Sequence, residues 1–141
     1  MRIVVQKFGG TSVENGVIRK KAVEKVISAL EMGYTPVVVV SAMGKAGQPY
    51  ATDSLLELAY TVNSEPSLRN IDLLLSCGEI ISAVIFAEEL SAAGHPAEAL
   101  TGWQCGILTD ENFSQARIQE INPKRVLDLL QRGIIPVIAG F

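Results

Sequence analysis

Arg2-Ile-Val-Val-Gln-Lys-Phe-Gly-Gly-Thr-Ser12 follows the first methionine of the chain. It contains an apolar run of strand length, then two adjacent glycines, and an amphipathic segment begins at about Val17. This order predicts a β-strand, a glycine turn and a helix, with Lys7 at the corner between them. Strand–turn–helix units of this kind are the building blocks of α/β folds with parallel sheets.

The glycine corner is suited to binding an anion. Adjacent glycines let backbone N–H groups approach an anion without interference from a Cβ, and a following helix N-terminus adds the positive end of a dipole. Phosphate fits such a corner best. The spacing differs from the Walker pattern, whose lysine follows the glycines, and from the dinucleotide fingerprint with three spaced glycines. Two interpretations therefore stay open: a phosphate loop of another kind, or an ordinary turn beside a solvated lysine.

Strand-length and helix-length segments alternate along the rest of the chain. A helix is expected over residues 17–32, closed by Gly33, and a strand over 36–41 whose four valines have no polar face. Such a strand belongs in the middle of a sheet with both sides covered. The pattern then predicts helices over 53–63, 67–75 and 78–93, a strand over 97–100, two extended pieces within 106–118, a helix over 123–132 and a strand over 134–139. It indicates an α/β fold with a mainly parallel sheet.

The amino-acid composition argues against several classes of binding partner. The 141 residues suit one domain, and 12 basic against 15 acidic side chains give a net charge of -3, which argues against nucleic acid. Cys77 and Cys105 form no metal-ligand or disulfide pattern and fit a reducing cytosol. No signal peptide is evident, and no apolar stretch is expected to reach the roughly 18 residues of a membrane span. We therefore expect a cytoplasmic protein with no membrane partner.

The last eight residues, 134–141, have the apolar composition of a buried strand, and the sequence stops where that strand is expected to end. In an open parallel sheet, ligand sites lie beyond the carboxyl ends of the strands. We expect residues 1–141 to be a single, incomplete domain that forms the front part of a longer protein.

Five segments carry a family resemblance: Lys-Phe-Gly-Gly-Thr-Ser at 7–12, Val-Val-Ser-Ala-Met-Gly at 39–44, Thr-Asp-Ser-Leu-Leu at 52–56, Leu-Leu-Ser-Cys-Gly-Glu at 74–79 and Val-Ile-Ala-Gly-Phe at 137–141. In this order they resemble the aspartokinases, within the amino acid kinase family. The resemblance implies a three-layer αβα fold of the carbamate kinase-like type. It covers the amino-terminal part of the catalytic domain, without the nucleotide-binding half or the ACT domains, so the isolated piece is expected to be inactive.

The resemblance implies transfer of the γ-phosphoryl group of MgATP to the side-chain carboxylate of L-aspartate. The product is 4-phospho-L-aspartate, in the first step of the pathway that leads to lysine and threonine. Such a reaction needs fixed positive charge and donors around the phosphoryl oxygens. By resemblance, Lys7 stabilises the transferring group, the amides of Gly9 and Gly10 donate to phosphate oxygens, and the hydroxyls of Thr11 and Ser12 complete the cradle.

Three further residues are implied to bind the amino acid. Glu79 would pair with the ammonium group of aspartate, Thr52 would donate to a substrate carboxylate, and Ser41 would face phosphate or substrate. Spacing alone favours another role for Glu79, because Ser76-x-x-Glu79 is also a capping box at a helix start. The two roles are compatible. Thr52 and Asp53 are likewise candidate N-caps of the helix that begins there. No residue is predicted to bind a metal directly, and Mg²⁺ is expected with ATP.

Alternatives remain at this point. The chain could be a non-catalytic module that binds phosphate or a small amino acid, or belong to glutamate 5-kinase, acetylglutamate kinase or uridylate kinase, which share the opening lysine and glycines. The segment from Ser76 to Glu79 favours aspartate. Apolar residues at 55–58 and 80–86 leave room for a homodimer.

Overall fold

Strands and helices alternate along the chain as the sequence predicts. The structure is a computed structural model and describes all of residues 1–141. Its elements in chain order are β1 (Ile3–Phe8), α1 (Gly10–Val13), α2 (Gly16–Glu31), β2 (Thr35–Val40), α3 (Thr52–Val62), α4 (Leu68–Ala92), β3 (Ala97–Leu100), β4 (Ile107–Thr109), β5 (Ile118–Ile121), α5 (Lys124–Gln131) and β6 (Ile135–Ala139).

The main sheet has four parallel strands in the order β1-β2-β6-β3. The valine-rich β2 lies inside the sheet between β1 and β6, as predicted. In register, Phe8 lies opposite Val40, and Val40 lies opposite Ala139. The last residues of three strands are therefore level with one another, and the segments that follow them begin at one edge of the sheet. β4 and β5 form a separate antiparallel pair.

Helices cover both faces of this sheet, which confirms the predicted three-layer arrangement. Alternate residues of β2 belong to two different apolar clusters because successive side chains of a strand point to opposite faces. Val38 and Val40 contact the cluster formed with α2 and α4, whereas Val37 lies in the cluster that contains Leu129 and Leu130 of α5. The first cluster is the larger and holds the stacked rings of Phe8 and Phe86.

β1 lies at the edge of the sheet and only one of its faces is covered. Phe8 points into the core, while Ile3 and Val5 on the other face are 46% and 64% exposed. Lys7 shares this open face and is exposed. Lys7 is therefore exposed to solvent near the carboxyl edge of the sheet.

The region predicted as two helices is one continuous helix, α4, of 25 residues. Its N-cap is Ser67, whose side chain accepts from the amide of Asn70. Ser76 lies inside the helix, where its hydroxyl donates to the carbonyl of Leu73 at 2.7 Å. The capping box predicted for Ser76 and Glu79 is therefore wrong. The hydroxyl is satisfied within the helix, as serine in a helix interior often is.

The expectation that no apolar stretch reaches membrane-spanning length is wrong for α4. This helix is long and apolar enough to cross a membrane by length and composition alone. Its side chains Ala83, Phe86, Ala87 and Leu90 belong to the core cluster above the sheet. A core helix of this kind is apolar because it packs on a sheet, and the absence of a membrane partner stays a prediction.

The apolar segments from which a homodimer is predicted contribute to both core and surface. Leu55 and Phe86 are buried, whereas Leu58, Ile81 and Val84 are 59%, 38% and 43% exposed. Part of the apolar surface from which the homodimer is predicted is therefore buried in the core of the chain itself. The homodimer stays a prediction.

We expect Phe86→Ala to destabilise the chain by about 3–5 kcal/mol, because it removes a fully buried ring and leaves a cavity beside Phe8. Urea unfolding followed by circular dichroism measures this change. Val84→Ala, on the exposed side of the same helix, is the matched control and should change stability by less than about 1 kcal/mol. Equal losses for the two variants would contradict the position of Phe86 in the core.

Candidate functional site

The carboxyl edge of the sheet brings together segments that are far apart in the sequence. The amide of Ser41, just after β2, donates to the carbonyl of Phe8 at the end of β1, with 3.0 Å between nitrogen and oxygen. The amide of Gly140, just after β6, donates to the carbonyl of Val40 at 2.9 Å. These two hydrogen bonds continue the sheet past its last paired residues. They hold the predicted residues Lys7 and Ser41 at one edge.

The glycine pair follows β1 as the sequence predicts, but it joins the strand directly to a short helix and does not form the predicted turn. Gly9 has extended dihedral angles, φ -72° and ψ 170°, and β1 leads directly into the single turn of α1. A Cβ on Gly10 would lie 3.1 Å from the carbonyl oxygen of Ala42, whereas a Cβ on Gly9 would meet nothing within 4 Å. Gly10 thus allows close packing against the segment after β2. Gly9 leaves open space in which a ligand can reach the backbone.

Lys7 carries a positive charge that no protein group neutralises by direct contact. Its side chain is exposed, and none of the four ion pairs in the structure includes it. Lys7 is close enough to Glu79 for its charge to lower the pKa of that carboxyl group, although burial acts more strongly in the opposite direction. The ammonium group is therefore available to an anion near Glu79.

Glu79 is a half-buried carboxylate on α4 that faces the ends of β2 and β6. Burial raises its pKa, and the nearby amides of Ala42 and Gly140 together with Lys7 oppose the rise. Its Oε2 atom is buried and makes no hydrogen bond of normal geometry, although the amides of Ala42 and Gly140 lie near the carboxylate. A buried acceptor that has lost water without a full hydrogen bond in exchange is unfavourable. A cation or hydrogen-bond donor bound at this point would remove that penalty.

Gly78 sets the position of Glu79. A Cβ at residue 78 would lie 3.0 Å from the carbonyl oxygen of Tyr50 and 3.3 Å from the Cβ of Ala42. Only glycine permits this approach without a shift, so α4 packs closely against the segment that leads into α3. The glutamate one residue later is thereby placed at the carboxyl edge of the sheet.

The structure shows no hydrogen bond between Thr52 and the other predicted site residues. It is the first residue of α3 and is exposed. The N-cap of α3 is Ala51, and no side chain caps this helix, so the predicted capping roles of Thr52 and Asp53 are wrong. Asp53 instead lies in the first turn, where a negative charge is favourable near the helix N-terminus. The structure gives Thr52 no hydrogen bond to Glu79 Oε2.

Comparisons with known proteins agree with this arrangement. The model of the amino acid kinase family matches residues 2–141. The chain belongs to the amino acid kinase family. Its sequence is 51% identical to aspartokinase 1 of Bacillus subtilis and 44% identical to the aspartokinase of Geobacillus stearothermophilus, each over all 141 residues. Those alignments cover 35% and 33% of the two relatives, so the chain spans about a third of their length.

Solved structures of aspartate kinases share the fold. The aspartate kinase from Synechocystis superposes with a TM-score of 0.78 and 36% identity, over 100% of this chain and 22% of that chain. E. coli aspartokinase III in complex with aspartate and ADP superposes with a TM-score of 0.74 and 20% identity, over 98% of this chain and 40% of that chain. These likenesses confirm the predicted amino acid kinase fold.

Two contacts of this amino acid kinase chain were not predicted from the sequence. Arg19 of α2 pairs with Glu89 of α4, with Nη2 and Oε1 2.7 Å apart, and Lys45 pairs with Glu14 at 2.9 Å. Both join segments next to the glycine pair to other parts of the molecule. No group of three or more His, Cys, Asp or Glu side chains is arranged to hold a metal ion.

We expect Glu79→Gln to stabilise the fold near neutral pH, because glutamine avoids the penalty of burying a charge. Burial raises the pKa of Glu79, so the fold is favoured when this carboxyl group is neutral. That contribution to stability is fully present at pH values below the pKa of the group in the unfolded chain. That stability is lost as pH rises through the raised pKa. The gain from glutamine should therefore grow as the pH rises above 4.5, the ordinary pKa of glutamate, as measured by urea unfolding at several pH values. Glu88→Gln, an exposed carboxylate on the same helix, is the control. A gain that did not depend on pH would contradict this origin.

Proposed function

We propose that the chain is the aspartate-binding and phosphate-binding part of an aspartokinase. Such an enzyme transfers the γ-phosphoryl group of ATP to the side-chain carboxylate of L-aspartate and forms 4-phospho-L-aspartate. The observation that carries the proposal is the buried, unpartnered Oε2 of Glu79 beside an unpaired lysine. A site with an anionic acceptor next to a free cation suits a substrate that has both an ammonium group and carboxylates.

Glu79 is proposed to bind the ammonium group of aspartate. An ammonium group has three N–H donors and no acceptor, so it complements a carboxylate oxygen that accepts nothing in the free chain. A bound cation also favours the ionised carboxylate, which offsets the penalty of burial. Ser41 and Thr52 are proposed to contact the substrate as well. The position of Ser41 at the end of β2 supports its role more strongly than the exposed position of Thr52 supports its own.

Lys7 and the glycine pair are proposed to bind the phosphoryl group. A carboxylate oxygen of aspartate attacks the γ-phosphorus, a new oxygen–phosphorus bond forms, and the bond to the β-phosphate oxygen breaks as ADP leaves. Both reactants are anions, so the site must supply positive charge and donors before they can meet. Lys7 would supply the charge, and Gly9, Gly10, Thr11 and Ser12 would supply backbone and hydroxyl donors. The open space at Gly9 supports this role.

ATP is proposed as the second substrate, with Mg²⁺ bound mainly by its phosphates, as is usual for this ion in kinases. This chain would hold only the phosphate end of the nucleotide, since it spans about a third of the related aspartokinases. The remaining contacts, including those of the adenine, would come from the part of an aspartokinase that residues 1–141 do not cover. The proposed enzyme acts in the cytoplasm, in amino-acid biosynthesis.

A chimera tests this function. We expect residues 1–141, substituted for the matching segment of B. subtilis aspartokinase 1, to support ATP-dependent formation of aspartyl phosphate, trapped with hydroxylamine as the hydroxamate. Lys7→Met should lower the rate about 10²- to 10³-fold, because the cation that stabilises the phosphoryl group is lost. Lys20→Met, which removes an exposed lysine of α2, is the matched control and should retain activity.

The outcomes separate the proposal from its alternatives. A folded chimera that binds aspartate by calorimetry but forms no product would favour a non-catalytic module. Activity on glutamate, N-acetylglutamate or UMP, with none on aspartate, would favour another branch of the family. Full activity of Lys7→Met would contradict the role of Lys7 even if the enzyme were an aspartokinase.

A further inference from the structure

Arg19 joins three separate segments of the molecule through one guanidinium group. Its Nε donates to Glu89 Oε1 of α4 at 2.8 Å, and its Nη1 donates to the carbonyl of Val13 at 3.2 Å. The same Nη1 lies 3.5 Å from the sulfur of Met43, in the segment that follows β2. The side chain of Arg19 is 12% exposed, so these contacts are shielded from water.

The contact with Val13 fixes the short helix that follows the glycine pair. α1 has only four residues, too few for its final carbonyls to find partners within the helix. Arg19 supplies a charged donor to the last of them and so caps the C-terminal end of α1. The side chain of Val13 is fully buried. The end of α1 is therefore held by packing on one side and by the guanidinium on the other.

The other two contacts connect α1 to α4 and to the segment after β2. Met43 is two residues beyond Ser41, and Glu89 lies on the helix that carries Glu79, about 15 Å along its axis at 1.5 Å per residue. Asn15 caps α2 through the amides of Val17 and Ile18, which fixes the turn of α2 from which Arg19 extends.

We propose that Arg19 is a positioning residue that fixes the phosphate-binding segment, residues 9–12, relative to Ser41 and α4. The guanidinium does not itself touch substrate. It holds α1 against the segment after β2 and thereby keeps Gly9 and Gly10 in place at the carboxyl edge of the sheet. The catalytic consequence rests on the proposed function, whereas the mechanical connection does not.

Arginine suits this role better than lysine. A guanidinium presents several N–H donors in a rigid fork and can serve three partners at once, while an ammonium group on a flexible stem cannot span them. The pair between Lys45 and Glu14 also joins the α1 region to the segment after β2, but the side chain of Lys45 is 74% exposed. Exposed pairs contribute little because water and salt screen them. The shielded connection through Arg19 is thus the stronger one.

NMR relaxation of the 141-residue chain tests the connection directly. We expect Arg19→Lys to lower the amide order parameters of residues 10–13 and of Met43 from about 0.85, the value of rigid backbone, to below about 0.6. Arg125→Lys, in the remote pair with Glu98, is the matched control and should leave both segments rigid. Equal order parameters in the two variants would overturn the proposal.

Glu89→Gln provides a second variant if Arg19→Lys does not fold. It removes the charge that orients the guanidinium but leaves Arg19 in place. We expect a smaller loss of order in the same two segments and no loss of order in α2. Unchanged order at residues 10–13 and at Met43 would again overturn the proposal.

Kinetics of the chimera separate positioning from simple destabilisation. Displacement of phosphate-binding groups should raise KM for MgATP about fivefold or more in Arg19→Lys, since small misplacements weaken substrate positioning. KM for aspartate should rise less than KM for MgATP, because Glu79 is carried by α4, whereas residues 10–13 lose their direct contact with Arg19. A fall in kcat with both KM values unchanged would indicate only a smaller folded fraction and would overturn the positioning role. An inactive unsubstituted chimera would instead refute the proposed function, and the NMR result would still decide the role of Arg19.

Discussion

Parallel pairing of β2 with β1 on one side and β6 on the other is the constraint on which the rest of the structure depends. It makes three strand ends level, and the hydrogen bonds from Ser41 to Phe8 and from Gly140 to Val40 extend that alignment by one residue. Polar groups that follow these strands consequently meet at one edge. A shift of either register by two residues, the smallest that keeps the side chains on the same face, would separate them by about 7 Å.

The electrostatic character of this edge follows from how α4 packs on it. Gly78 lets the helix approach the segment before α3, and Glu79 is thereby pressed against the sheet with one oxygen cut off from water. Lys7 and two backbone amides partly compensate the buried carboxyl group, yet burial remains the dominant influence on its pKa. Such incomplete compensation is a feature of sites prepared for a ligand, because the missing partner can arrive with the substrate.

Much of the fold could be predicted because its signals are local. The unbroken valines of β2 predict an interior strand, and the apolar run that ends at Lys7 predicts β1. The continuity of α4 could not be predicted, since Ser76-x-x-Glu79 with an internal glycine imitates a helix start. Gly78 lets α4 pack against the segment before α3, and this tertiary contact is not evident from the sequence. The role of Arg19 could not be predicted for the same reason, because two of its three partners are 24 and 70 residues away.

Residues 7, 41, 79 and 140 span nearly the whole chain, and this spread links occupancy of the edge to completion of the fold. No shorter segment contains the set, so a small molecule that touches all four can associate only with chains in which β1, β2 and β6 have paired and α4 has packed on them. Binding of such a ligand raises the free energy of unfolding of the whole domain. The increase is about 2.7 kcal/mol when the ligand concentration is a hundred times its dissociation constant. A ligand that occupied this edge would therefore slow degradation of the chain, because it would lower the unfolded fraction.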